Sequence, residues 1–486
     1  MHAATLALAA LVATTALLPA CTPSDDRNGH REDRARTGDG ALAIPGPLVV
    51  VAVDGLEWRL VLEMQREGRL PALARLMDEG TFARLSTLEP ALSPPIWTSI
   101  ATGVLPARHG ILGFERSVTG DDGRAKPVPF TNRDRRVKAL WNIADDAGLS
   151  SCVLGYWMTY PVENIRGVMV AQMSAPPVER GQRGERTRKG GLAEGQRGQV
   201  HPADMEPRIF ATASAATGEL GEREREIFGE TAAWPPAMQR LVAHSRWSLA
   251  ADTAYRAIAI DLLRNPERCD VMIVYLGLAD VLGHRFWRWT APRDFASPPP
   301  TDEVARYGEV LRRTYESIDG FVARLREHAG TRATIVVASD HGMGAFRPDS
   351  TPDLHREDGA LVRTGGHSAS REALFVAAGP GIAKQDGGGS KPPAKAPASI
   401  GEIPRAGAIV DMTPTLLALL GLASGEDMDG LARTSLLDPD FLAAHPPKRI
   451  PTHTPPDWTQ ARSLAATDAP DQAERREQLR ALGYLD

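Results

Sequence analysis

Cysteine is scarce in this chain: Cys21, Cys152 and Cys269 are the three among 486 residues. Three cysteines cannot form a disulfide framework or a cysteine-rich zinc module, so any metal must be held by histidine and carboxylate. Cys152 and Cys269 read as small core residues that nothing pairs. A large excess of one charge is also lacking. The 56 Lys+Arg stand against 61 Asp+Glu, a net charge of −5, which removes the global argument for a nucleic-acid partner. Long apolar runs are missing after the first 20 residues, so no later segment reads as a membrane span. What remains is a globular balance, 42% hydrophobic and 24% charged, without internal repeats.

The first 20 residues carry no Lys, Arg, Asp or Glu, and Leu6 to Leu18 is apolar over a signal-peptide length. The run ends in Leu17-Leu18-Pro19-Ala20-Cys21, which resembles a bacterial lipobox. Residues 1–20 are expected to be removed on export, leaving lipidated Cys21 as the membrane-anchored N-terminus. An ordinary cleaved signal peptide is the alternative. Residues 21–47, polar and rich in Gly and Pro, read as a flexible tether.

Leu48-Val49-Val50-Val51-Ala52-Val53 then reads as a strand buried on both faces of a parallel sheet. Similar runs recur at Ser151–Gly155, Val168–Ala171, Val271–Tyr275, Thr334–Ala338 and Ala373–Ala378. Helical patterns lie between them at Leu70–Glu79, Val137–Ala147, Leu249–Leu263, Glu303–His328 and Ile409–Leu420. This alternation predicts an α/β fold, a three-layer sandwich around a mostly parallel sheet. The catalytic body is expected over 48–445, with an insertion at about 172–246, a loop at 383–404 and a tail at 446–486. Within the insertion, Glu206 to Arg246 reads as a partly helical cap.

Carboxylates and imidazoles gather where such sheets bind ligands. Asp54-Gly55 ends the first strand, and Asp340-His341-Gly342 ends the Thr334–Ala338 strand. Asp280 and His284, spaced i, i+4, share one helical face after Val271–Tyr275, a common way to present two ligands to one ion. His367 follows Gly365-Gly366. Ser93, before Pro94-Pro95, suits a helix N-cap and equally a nucleophile at a helix N-terminus. Singly these are a turn, a cap or a surface pair. Together, three Asp and three His offer two mixed O/N ligand sets that suit zinc or a similar first-row ion.

In this order, Asp54, Ser93, Asp280, His284, Asp340, His341 and His367 resemble the alkaline phosphatase superfamily, and within it the type I phosphodiesterase/nucleotide pyrophosphatase branch. Supporting matches are Thr102-Gly103, Pro106-Ala107-Arg108-His109-Gly110-Ile111, and Val410-Asp411-Met412-Thr413-Pro414-Thr415-Leu416. The resemblance spans Leu48 to Leu436. It implies a phosphoester hydrolase, phosphodiesterase or phosphatase, with two divalent ions, zinc ahead of manganese or iron. One ion takes Asp54, Asp340, His341 and the Ser93 oxygen. The other takes Asp280, His284 and His367. Ser93 is implied as the nucleophile of a covalent phosphoenzyme, and His109 as structural.

Sulfatases share this fold, but Trp97 stands where their C/S-x-P-x-R motif has Arg. A phosphoglycerate mutase-like phosphotransferase fits the export signal poorly, and a non-catalytic surface lipoprotein would not need the full ligand set. The expected substrate is a small phosphoester or a lipid head group. Pro94, Pro95, Ile96 and Trp97 beside Ser93 favour a diester, with Phe286-Trp287-Arg288-Trp289 expected to stack on its organic substituent. Arg285 and Arg288 could instead supply charge for a monoester.

Overall fold

The computed structural model describes residues 42–119, 123–172, 198–264, 269–354, 361–368, 370–385, 397, 399–456 and 458, with the backbone of 178–180 and 186–188. The expectations for residues 1–20, Cys21 and most of the tether and tail lie outside these. Nine strands form the central sheet: β1 (Leu48–Val53), β2 (Thr81–Ser86), β3 (Ser151–Leu154), β4 (Gly167–Val170), β5 (Val200–His201), β6 (Val271–Leu276), β7 (Thr334–Ala338), β8 (Glu372–Ala378) and β9 (Arg405–Ala408). Their order is β9-β2-β8-β7-β1-β6-β3-β4-β5. β8 runs against both neighbours and β5 against β4; the remaining pairings are parallel.

The helices used below are α1 (Trp58–Arg66), α2 (Pro71–Glu79), α3 (Ser93–Thr102), α4 (Leu140–Asp146), α5 (Glu206–Gly218), α6 (Leu220–Phe228), α7 (Pro236–Ala243), α8 (Arg246–Arg264), α9 (Leu278–Thr290), α10 (Glu309–Ala329) and α11 (Met412–Leu419). Every residue of β1 is buried, and its alternating side chains feed two separate cores. Val49, Val51 and Val53 pack with α1, α2 and α5 to α10. Leu48, Val50 and Ala52 pack with α3, α4 and α11. The two apolar faces of one strand thus specify the three layers. α5 to α7 occupy the segment expected as a cap. They join the helical layer on the first face, and the chain just after α7 reaches α9, where Arg285 donates to Ser245 Oγ.

One expectation is overturned. Cys152 and Cys269 form a disulfide, with Cα atoms 5.6 Å apart across 117 residues of sequence. Cys152 lies in β3, and Cys269 precedes the adjacent strand β6. Their proximity follows from strand order, which sequence spacing does not reveal.

Candidate metal centre

The carboxyl ends of β1, β6 and β7, three adjacent strands, form one edge of the sheet. Asp54 follows β1, Asp280 lies in the first turn of α9 after β6, and Asp340-His341 follow β7. His367 arrives differently. It precedes β8, and because β8 is reversed its amino end opens on that same edge. Gly55 takes φ +70, and a Cβ there would lie 3.0 Å from the Asp280 Cα, so glycine permits the two loops to meet.

Two ligand groups result, each with its donor atoms within 4.8 Å: Asp54, Asp340 and His341, and beside them Asp280, His284 and His367. The His341 and His367 rings stack at 3.7 Å, which joins the groups. Each imidazole donates Nδ1–H to a main-chain carbonyl: His284 to Gly365 (2.8 Å), His341 to Gly342 (3.0 Å) and His367 to Ala91 (2.9 Å). This turns Nε2 toward the cluster in all three. Asp54 Oδ2 accepts from Trp97 Nε1 (3.0 Å) and Tyr275 OH (2.6 Å), and Tyr275 OH accepts in turn from Trp157 Nε1. Asp340 Oδ1 accepts from Gly55 N (3.2 Å).

The inward atoms are unmet. Asp340 Oδ2 and His341 Nε2 are buried without a hydrogen-bond partner among the described residues. His341 Nε2 faces Asp340 Oδ2 at 3.1 Å and Asp54 Oδ1 at 3.3 Å. With its proton on Nδ1, the imidazole presents a lone pair to two carboxylate oxygens. Acceptors facing acceptors in a buried site repel, and either a shared proton or a cation relieves them.

Charge crowding agrees. Burial and Asp280 raise the Asp54 pKa to about 6, and burial with Asp54 and Asp280 raises that of Asp340 well above the carboxylate range. Burial lowers His284 to about 4 and His341 well below the ordinary value. Burial opposes ionisation of Asp280, yet His284 and His367 beside it hold its pKa low. Burial would lower His367 too, but Asp280, 2.9 Å from its Nε2, raises it.

Ser93 is the first residue of α3, one position past the N-cap Leu92, so its hydroxyl is not at the cap position. Oγ instead turns to Asp54 Oδ1 at 3.5 Å. Thr98 Oγ1 is spent on Pro94 O and Ser99 Oγ on His109 Nε2. His109 is fully buried, and its Nδ1 accepts from Ile111 N–H.

The aromatic stretch after His284 corrects a second expectation. Phe286, Trp287 and Trp289 are core residues at 0–1% exposure, because α9 is packed on almost every side. Arg285 turns to Ser245, and Arg288 to Ser297 O and the Phe295 ring. Neither the rings nor these cations face the cluster. Phe346 packs beside Gly366, the residue before His367, 3.3 Å from where a Gly366 Cβ would stand, with Arg347 and Arg363 stacked on its ring at 5.2 and 4.7 Å.

Sequence reasoning also missed Glu57. Its Oε2 accepts from Met343 N (3.0 Å) and Ser370 Oγ (2.6 Å), and its Oε1 from Arg59 N (3.1 Å). One buried carboxylate therefore ties together the loops carrying Asp54, His341 and His367. Asp252 similarly accepts from Gly277 N and Leu278 N, holding the start of α9. Both could be noticed in sequence only as acidic residues near a strand or inside a helix.

Residues 48–403 match the family model described as type I phosphodiesterase / nucleotide pyrophosphatase. Among solved structures, a phosphonoacetate hydrolase from Sinorhizobium meliloti 1021 is 20% identical over 62% of this chain, with TM-score 0.38; the chain spans 57% of that protein. Human ectonucleotide pyrophosphatase/phosphodiesterase 5 is 12% identical over 81% of this chain and 100% of its own, with TM-score 0.44. A putative sulfatase from Bacteroides thetaiotaomicron VPI-5482 is 13% identical over 80% of this chain and 74% of its own, with TM-score 0.43.

Proposed function

The chain belongs to the type I phosphodiesterase / nucleotide pyrophosphatase family, and on that premise we propose that it hydrolyses phosphoesters through Ser93 with two divalent metal ions, zinc in first place. The observation that carries this reading is the pair of unmet inward atoms, Asp340 Oδ2 and His341 Nε2, in a buried group that also holds Asp54. Asp54, Asp340 and His341, with the Ser93 oxygen, would hold one ion; Asp280, His284 and His367 would hold the other. Such ions supply Lewis acidity that stabilises charge on the attacking and leaving oxygens.

The remaining chemistry belongs to the chain. Asp54 Oδ1 accepts the Ser93 hydroxyl proton and orients Oγ. Trp97 and Tyr275 fix that carboxylate through Oδ2, so its free oxygen keeps one direction. Ser93 Oγ forms a bond to phosphorus as the ester P–O bond breaks, and the leaving oxygen takes a proton from solvent. Water then attacks the phosphorus of the Ser93 ester, releasing phosphate from a monoester or a phosphomonoester from a diester, and Ser93 Oγ regains its proton from Asp54 Oδ1.

Trp97 disfavours the sulfatase reading, since the residue at the required Arg position serves as a ligand support. Phe346 with Arg347 and Arg363 offers a rim with both an aromatic face and charge, which suits an ester carrying an organic or anionic substituent. Export fits the Cys152–Cys269 disulfide, a bond that persists in oxidising compartments. Purified protein should carry two equivalents of divalent metal, and chelation should abolish turnover of bis-p-nitrophenyl phosphate or p-nitrophenyl phosphate. Full activity in a metal-free sample would refute the proposal.

A further inference from the structure

A cavity of about 480 Å³ lies between α5, α6, α8 and α10, apart from the carboxyl-edge cluster. It is lined by Asp252 and Leu278, by apolar Ile227, Leu249 and Ile260, and by four arginines. Three lining carboxylates are already engaged. Asp261 accepts from Arg208, Glu226 from Arg223, and Asp252 from the α9 main chain. A fourth, Glu219, is exposed at the junction of α5 and α6. Arg264 donates to His328 Nε2, and no carboxylate pairs with Arg264 or Arg324 among the described residues.

Arg256 is the central group. Its side chain is only 11% exposed. Nη1 donates to Ser317 Oγ (2.7 Å), and the guanidinium lies over the Phe321 ring. Nε and Nη2 are buried without an acceptor among the described residues, and Asp252 Oδ2 stands 3.8 Å from Nη2, beyond a hydrogen bond. These two nitrogens are neighbouring prongs of the guanidinium fork, the geometry that takes two oxygens of a phosphate or carboxylate. A buried donor left unmet is costly, so the site favours an acceptor there. Burial lowers the Arg256 pKa to about 10; Asp252 opposes this, and repulsion from Arg324 and Arg223 adds to it. Burial, Arg223 and Arg264 lower that of Arg324 as well.

We propose that this cavity is a binding site for a small organic phosphate, with two phosphate oxygens on Nε and Nη2 of Arg256, Arg324 supplying further charge, and the carbon skeleton against Ile227, Leu249 and Ile260. A bare phosphate leaves most of the space empty, whereas the volume falls in the range of small-molecule sites.

Titration calorimetry of the intact metal-loaded protein with phenylphosphonate, whose P–C bond resists hydrolysis, tests this. The phosphoester site also takes this compound, so two equivalents are expected in the wild type. Arg256→Gln and Arg324→Gln should each bind one equivalent, with p-nitrophenyl phosphate turnover within threefold of wild type. If Arg256→Gln does not fold, Arg324→Gln, on the less buried wall, decides alone. The same stoichiometry in wild type and Arg324→Gln overturns the proposal.

Discussion

Replacing Glu57 tests how the cluster is held, because this carboxylate touches none of the proposed ligands directly. Glu57→Ala removes three hydrogen bonds onto a charged group and leaves the buried N–H groups of Met343 and Arg59 without acceptors. Bonds to charged groups contribute about 1.5–3 kcal/mol each, and burial, which raises the Glu57 pKa, subtracts part of that sum. A loss of about 3–5 kcal/mol is expected in urea unfolding. Glu57→Gln keeps an acceptor for Met343 and Ser370 but sets an NH₂ against Arg59 N–H, so about 1–2 kcal/mol should go. Function should follow the same order. Gly342 packs so closely that a Cβ there would lie 2.0 Å from Glu57 Oε2, and the His341 loop shifts once this anchor is gone. A displacement of about 1 Å can cost about 10²-fold in rate. Glu57→Ala should therefore lose about a hundredfold in kcat/KM together with part of its bound metal, while Glu57→Gln stays within about tenfold. Stability of Glu57→Ala within about 1 kcal/mol of wild type, with metal content and kcat/KM unchanged, would refute the reasoning.

Ser93→Ala should lose at least about 10³-fold in turnover while retaining metal, whereas Thr98→Ala, whose hydroxyl bonds only the helix backbone, should lose less than tenfold; phosphate trapped on Thr98 instead would exclude Ser93. Asp252, buried beside Arg256, has its pKa raised to about 6 from the ordinary 3.8. The folded state thus binds the extra proton between these values, and its stability falls as pH rises from about 4 to 6, by about 3 kcal/mol. Asp252→Asn should flatten that part of the profile, and an identical slope in both proteins would contradict the assignment. Native protein should show no titratable thiol from Cys152 or Cys269, and Cys152→Ala should lower stability by about 2–4 kcal/mol; two reactive thiols in the native state would remove the bridge. Cys21→Ser should release the protein from membranes or stall its processing, and unchanged partition argues against a lipid anchor.

Sequence periodicity carried the layers well, because β1 is apolar at every position and the helices between strands are long. The order of Asp and His residues at strand ends carried the edge where they meet. Other features depend on neighbours distant in sequence. Glu303–His328 reads as one helix, but the chain breaks it at Gly308, where a Cβ would lie 2.8 Å from Trp289 O. β2 and β9 lack continuous apolar runs, since residues of both are only partly buried. Phe286 to Trp289 looked like a substrate wall because sequence does not say whether a helix is covered on one side or all round. The disulfide depended on β3 lying beside β6. Whether the Ser93 hydroxyl caps its helix or turns to Asp54 depended on the direction of one side chain, which sequence leaves open.

The donors' arrangement bears on whether the proposed metal centre or a structural ion-pair network occupies this edge of the sheet. In a structural network, both polar ends of each buried group are used on protein partners, since an unmet one is costly. Here Asp340 and His341 each commit one end and leave the other, Oδ2 and Nε2, without a partner among the described residues, whereas Asp54 Oδ1 faces the Ser93 hydroxyl and His367 Nε2 lies 2.9 Å from Asp280 Oδ1. Asp54 commits Oδ2 to Trp97 and Tyr275, and Asp340 commits Oδ1 to Gly55 N. His284, His341 and His367 commit Nδ1 to carbonyls. The supporting partners come from strand ends and loops fixed by the sheet, so the inward ends are held in place before any ion arrives. That division sets the tautomer of each histidine and the free oxygen of each aspartate. The result is a buried set of acceptors around Asp340 and His341 whose repulsion the proposed cation would relieve. Burial makes this costly without the ion, and the same burial makes each cation contact stronger once it is bound.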